Sequence, residues 1–148
     1  KQAVQMFSLI HSLDSLRLAE TLQQRAEELE RTMDCLVEVN VAGEETKHGL
    51  APDQVLPLLK QVSSLPCLSI RGLMTVAPYV DNPEEVRPVF RRLREMASEI
   101  DKLKLPRISM DELSMGMSGD FEVAIEEGAT MVRVGSAIFG ARDYSETK

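Results

Sequence analysis

Met131-Val132-Arg133-Val134-Gly135-Ser136-Ala137-Ile138-Phe139-Gly140 is the stretch on which the reading of this 148-residue chain turns. Strand alternation puts Val132 and Val134 on one face and Met131, Arg133 and Gly135 on the other. An arginine between valines is costly to bury unless an acceptor or anion meets it, because guanidinium stays charged. The Gly135-Ser136 pair then lets backbone and hydroxyl donors approach a ligand closely, where the strand ends. An arginine snorkelling to the edge of a core strand would look the same locally, so the remaining segments have to decide.

Working outward, each upstream segment supplies another strand or its crossover helix. Gly116-Met117-Ser118-Gly119-Asp120 follows the run Leu113–Ser118, which reads as a strand passing into a helix over Gly119–Glu127 ended by Gly128. Asn82-Pro83-Glu84-Glu85 has the cap, proline and acidic first turn of a helix start. Val86, Val89, Phe90, Leu93, Met96, Ala97, Ile100 and Leu103 continue it as one apolar stripe. Leu68–Val76 and Cys35–Asn40 are further strands, the latter with Cys35, Val37 and Val39 on one face. Between them runs a helix from about Pro52 to Ser64, in which Pro57 should cause a kink or a late start. The apolar run within Val4–Leu13 reads as the first strand, with Ser12 or Asp14 capping the helix that carries Leu18, Leu22, Ala26 and Leu29. Repeated strand-helix-strand units mean a parallel sheet, doubly wound or closed into a barrel, in a single domain.

Composition narrows the function. Seventeen basic against twenty-four acidic residues give a net charge of −7, which argues against nonspecific binding to nucleic acid or anionic membranes. No apolar run reaches membrane-span length and nothing reads as a signal peptide, so a cytoplasmic location is expected. Cys35 and Cys67 lack metal or redox spacing and read as reduced thiols. With only His11 and His48, a histidine-rich metal site is not expected.

Parallel sheets place ligands at the carboxyl ends of their strands. Those ends are Ser12/Asp14, Asn40, Met74/Thr75, Met117/Ser118 and Gly135/Ser136. The last two offer phosphate-binding chemistry on adjacent strands, with Arg133 beneath them, which suits a phosphorylated cofactor. Ser118 could instead simply cap the helix that follows it, and Asp120 and Glu122 would oppose an anion there. His11, Ser12 and Asp14 crowd one segment but point in different directions, so they form no triad. No spacing pairs Asp14 with Glu38 for acid-base work. Lys47 and His48 read as exposed loop charge.

Leu113–Ser118 and Met131–Arg142 together resemble the pyridoxal-phosphate homeostasis family, the YggS/PROSC-like group related in fold to the N-terminal domain of alanine racemase. The resemblance extends through Ile70–Met74, Val39–Gly43, Lys47–Gly49 and His11–Asp14, covers essentially the whole chain, and is strongest to cyanobacterial-type members. It implies an α/β fold of (β/α)8 TIM-barrel type, of which only the last five βα units are present. Residues 1–148 would then be the C-terminal portion of one pyridoxal-phosphate-binding barrel domain. Ser118, Gly135 and Ser136 would contact the phosphate of pyridoxal 5'-phosphate, Met117 would border it, and Arg133 would face the pyridine nitrogen. The lysine that forms the Schiff base would precede Lys1, since members are longer and carry three earlier strands.

The family is generally regarded as binding or delivering the cofactor, with no established reaction, so the expected partners are the cofactor and acceptor proteins. The full-length protein is expected to be a monomer. The alternative, a racemase-like enzyme on the same cofactor, needs an acid-base tyrosine, and Tyr79 and Tyr144 are the only tyrosines. A third reading is an interaction module using the helix over Ala19–Arg31 or Val86–Leu103.

Overall fold

A computed structural model describes residues 2–44 and 48–140. Five strands, β1 (Leu9–Leu13), β2 (Met33–Glu38), β3 (Leu68–Met74), β4 (Ile108–Met117) and β5 (Met131–Arg133), form one sheet. All neighbours are parallel and the spatial order is the chain order. Right-handed crossovers without a reversal of order put every connecting helix on one side of the sheet. The sheet is therefore singly wound, as in a barrel, and the doubly wound alternative is excluded.

Its curvature can be read from one contact. Strands β1 and β4 are three steps apart, about 14 Å at the usual spacing of parallel strands. Yet His11 Nδ1 lies 3.0 Å from Ser114 Oγ. The side chains meet because the sheet rolls toward its helix-free face. Five strands so curved make a half-barrel with two open edges.

The crossover helices are α2 (Leu16–Glu28), α3 (Pro52–Val62), α4 (Arg87–Asp101) and α5 (Phe121–Glu126), with short helices α1 (Gln2–Met6) and α6 (Ser136–Phe139) at the ends. The expected alternation of β2 holds: Met33, Cys35, Val37 and Val39 all join the core beneath the helices. Leu36, also fully buried, faces the concave side instead. The stripe of α4 enters the same core through Phe90, Leu93, Met96, Ala97 and Ile100. Phe90 is completely buried, and truncating such a ring to alanine costs about 3–5 kcal/mol.

Several element boundaries differ from expectation. The first apolar run divides: Gln2–Met6 is helical and the strand starts only at Leu9. Neither Ser12 nor Asp14 caps α2; Ser15 does, accepting from the Leu18 amide, and its hydroxyl bonds Asp14. At Asn82-Pro83 the cap forms as expected, but the first turn, Pro83–Val86, is 3-10 and the α-helix begins at Arg87. Pro88 explains the break, since it lacks the N–H that would close an α turn on the Glu84 carbonyl, which accepts the Arg87 amide in a 3-10 bond instead. Pro57 neither delays nor ends α3, which starts at Pro52. Pro57 is on the exposed face, so the carbonyl it leaves unbonded has access to water.

Gly116 seats α5. Its φ is +94°, and a Cβ there would lie 2.6 Å from Ala124 Cβ and 3.0 Å from Phe121 Cα. Any side chain would push the helix off the end of β4.

Candidate functional site

Arg133 ends β5 and its guanidinium reaches across two strands on the concave face. Nη1 donates to Ser114 Oγ at 2.7 Å and Nη2 to the Thr75 carbonyl at 2.8 Å. Both residues are buried, Ser114 completely. Thr75 is itself held, its hydroxyl donating to the Val39 carbonyl at 2.7 Å and its amide to the Ser114 carbonyl at 3.1 Å. Arg133 thus rests on neutral acceptors, and among the described residues no carboxylate comes within ion-pair distance of it. Burial pushes its pKa down, while the more distant charges of Glu38 and Asp120 pull the other way. The guanidinium stays protonated regardless.

Ser118 joins the ends of β4 and β5. Its Oγ accepts from the Gly135 amide at 3.1 Å and the Ala137 amide at 3.2 Å. Capping is therefore part of its role, but of α6 rather than of the helix that follows it in sequence. Asp120 holds the N-cap position of α5 and turns its carboxylate to the Met117 amide at 2.6 Å. Met117, paired in register with Arg133, is partly exposed beside them. Gly135 has nothing within 4 Å of where a Cβ would be, and Ser136 is exposed at the first position of α6. Ser118, Gly135, Ser136 and Met117 thus cluster at the rim, with Arg133 as the floor.

A cleft of about 260 Å³ flanks Ser118 on the helix side, lined by Glu84, Asp120, Glu122 and Glu126 among others. Four carboxylates make it a poor home for an anion; the open concave face above Arg133 is the better one.

The other strand-end candidates have structural partners or lie apart. Asn40 organises its own loop: Nδ2 donates to the Glu44 carbonyl, and Oδ1 accepts from the Gly43 and Glu44 amides. Ser12 and His48 are exposed, and Lys47 lies outside the described residues. Glu38, which no spacing paired with Asp14, does feel its charge. Burial and then the Asp14 charge push the Glu38 carboxyl above its usual range. Among the described residues no lysine ends a strand: Lys60 is in α3, Lys102 ends α4 and Lys104 pairs with Asp101.

Sequence reading missed the three groups that hold Arg133 in place. Thr75 stood out only as a strand end, and Ser114 and His11 were not linked at all. The available signal was Ser114 itself, a hydroxyl alternating with Leu113 and Met115 in a buried strand, which requires a polar partner on its own face.

The sequence profile of the family described as alanine racemase, N-terminal domain, matches residues 1–143. The pyridoxal phosphate homeostasis protein of Aquifex aeolicus is 51% identical over 136 residues, which are 92% of this chain and 59% of that protein. PipY of Synechococcus elongatus PCC7942, solved without PLP, superposes with a TM-score of 0.85 at 40% identity, over 94% of this chain and 64% of that one. PipY with PLP bound gives 0.83 at 38% identity, with the same shares covered. The chain therefore spans about three-fifths of the length of these relatives, and its five strands correspond to part of a barrel. No helix among the described residues is long and apolar enough to cross a membrane. By its sequence over residues 1–143, the chain belongs to the alanine racemase N-terminal domain family.

Proposed function

We propose that residues 1–148 are the C-terminal portion of a single barrel domain that binds pyridoxal 5'-phosphate and serves intracellular vitamin B6 homeostasis. One observation carries the reading: Arg133 is a half-buried cation on the concave face, fixed by neutral acceptors and lacking a carboxylate partner among the described residues. A buried charge left in that state is stabilised by an anionic or electron-rich ligand.

The residues fit this cofactor. Arg133 has committed two of its five donor hydrogens. Ser118 accepts twice and so keeps its own hydroxyl hydrogen to donate. The space at Gly135 lets a phosphate approach the backbone. Ser118, Gly135 and Ser136 would hold the phosphate, Met117 would border it, and Arg133 would face the ring nitrogen. When bound, pyridoxal phosphate supplies an aldehyde that condenses with amines and a ring whose electron demand depends on protonation of its nitrogen. Arg133 can donate a hydrogen bond to that nitrogen but does not give up its proton near neutral pH. An electron sink so weakened favours a carrier over an enzyme, and the relatives are named as homeostasis proteins. The racemase alternative gains no support from Tyr79, which is 93% exposed; Tyr144 lies outside the described residues.

The open sheet edges support the barrel reading. Met6 and Phe7 before β1, and Ile138 and Phe139 after β5, are large apolar side chains exposed to solvent, as expected where further barrel units would pack. We place the Schiff-base lysine in those units.

The test measures cofactor affinity in the complete protein. Arg133→Ala and Ser118→Ala should each weaken pyridoxal phosphate binding, Arg133→Ala by about tenfold or more. Borohydride reduction should leave residues 1–148 unmodified while trapping cofactor elsewhere in the protein. Wild-type affinity in Arg133→Ala, or one trapped lysine within residues 1–148, would overturn the assignment.

A further inference from the structure

His11 on β1 and Arg133 on β5 meet through a single hydroxyl. Ser114 Oγ is 3.0 Å from His11 Nδ1 and 2.7 Å from Arg133 Nη1. A guanidinium can only donate, so Ser114 Oγ accepts from Arg133. Oγ could accept a second time, as Ser118 Oγ does, but its own hydrogen would then have no partner among the described residues in a fully buried place, so that hydrogen goes to His11 Nδ1, an unprotonated acceptor. The imidazole is therefore neutral, with its hydrogen on Nε2.

We propose that His11 is a positioning residue: by accepting the Ser114 hydroxyl hydrogen it fixes the Oγ lone pair that orients Arg133 toward the cofactor. The proposal rests on the reading of Arg133 as the floor of the pyridoxal phosphate site. Protonating His11 would turn Nδ1 into a donor. Ser114 Oγ would then face two cationic donors, and its own hydrogen would lose its partner in a fully buried place. The surroundings favour the neutral ring. Burial and the Arg133 charge hold the His11 pKa below its usual value, against an opposing pull from Glu112 on β4. Glu38 on β2 and Asp120 before α5 act on Arg133 from a distance, and Asp14 after β1 acts on Glu38. The network spans the half-barrel, β1 to β4 to β5, with the Thr75 carbonyl after β3 as its fourth member.

The test uses the complete protein and pyridoxal 5'-phosphate. In ligand-free protein near neutral pH, nitrogen-15 NMR of the imidazole should show Nδ1 unprotonated and Nε2 protonated. His11→Phe, which removes the acceptor but keeps a ring, should weaken the cofactor about fivefold. His11→Asn, whose Oδ1 can stand where Nδ1 did, should stay within about twofold. In a Ser114→Ala background His11→Phe should cause no further loss, because the relay is already cut. A protonated Nδ1, wild-type affinity in His11→Phe, or losses that simply add would each overturn the proposal. If the wild type binds no cofactor, the reading of Arg133 falls first. The imidazole spectrum, taken without ligand, separates that outcome from a wrong tautomer.

Discussion

Two groups of arginines in this molecule meet burial in opposite ways. At the seam between α4 and α5, Arg87, Arg91 and Arg94 converge on Glu127, which is only 4% exposed. The contacts are 3.3 Å from Arg87, 2.9 Å from Arg91 and 3.2 Å from Arg94. Arg87 also grips Glu84 and Glu126. A carboxylate at the C-terminal end of a helix is unfavourable to the helix dipole, and the three guanidiniums offset that. Hydrogen bonds from Arg91 and then Arg87 hold the Glu127 carboxyl below its usual range, although burial opposes them. Arg87 and Arg91 are shifted upward by the same pairing, Arg87 chiefly through Glu84. Arg133 is shifted downward, because burial outweighs charges that do not touch it. The residue type is the same and the direction opposite. At the α4–α5 seam the fold supplies the arginines with a buried carboxylate; at the half-buried Arg133 it supplies neutral acceptors and, among the described residues, leaves the charge for something else to meet.

The sharpest way to break that contrast is to give Arg133 a counter-ion in direct contact. Ser114→Asp places a carboxylate at the Nη1 contact, and cofactor affinity should fall about a hundredfold as the internal ion competes with the ligand. Because Ser114 is fully buried, Ser118→Asp provides the same charge at a half-buried position and should act in the same direction. Titration of the cofactor band in the complete protein, with near-ultraviolet circular dichroism to confirm folding, reads both. Undiminished affinity in a folded variant would mean that the missing carboxylate has no bearing on binding.

The reverse experiment acts on stability. Glu127→Gln keeps hydrogen-bonding atoms but withdraws the charge from three arginines. Unfolding in urea should show a loss of about 1–3 kcal/mol, with a much smaller effect on cofactor affinity than the aspartate substitutions. An unchanged midpoint would show the α4–α5 cluster to be surface decoration, and the contrast with Arg133 would lose its meaning.

How much of this was legible in the sequence follows from how local each feature is. The stripe Val86 to Leu103 and the alternation Cys35, Val37, Val39 are set by helical and strand periods, and both enter the core as read except at Val89, which stays outside the core cluster, and Leu103, which lies past the end of α4 and is exposed. The rim residues Ser118, Gly135 and Ser136 were visible because strand-end glycine and serine have a local rationale. The boundary at Arg87 was legible in principle from Pro88 but was overridden by the apolar stripe. The His11–Ser114 contact was not legible. It joins residues 103 positions apart, and it depends on how tightly the sheet curls, a property of the whole half-barrel. For the same reason the capping alternative for Ser118 pointed to the helix that follows it, when the helix it caps is in the next βα unit.

The smallest effect is the pH dependence of stability, which tells the two regions apart by sign and range. Glu127 has a folded pKa below the ordinary 4.5. Its contribution is present above that value and lost as pH falls through the lowered one, because only then does the native state take up the proton. His11 has a folded pKa below 6.5. Between those values the unfolded chain is protonated and the native ring is not, so stability declines as pH falls from 6.5 toward the folded value. Glu38, raised by burial and Asp14, works the opposite way, since a native state that holds its proton more tightly gains as pH falls. Differences between variants and wild type remove that overlap. Wild type minus His11→Asn should slope in the mildly acidic range, and wild type minus Glu127→Gln only below about pH 4.5. If the His11→Asn difference were flat, the imidazole would not be held neutral by its place beside Ser114 and Arg133. The buried cation would then lack the acceptor chain that keeps it in position.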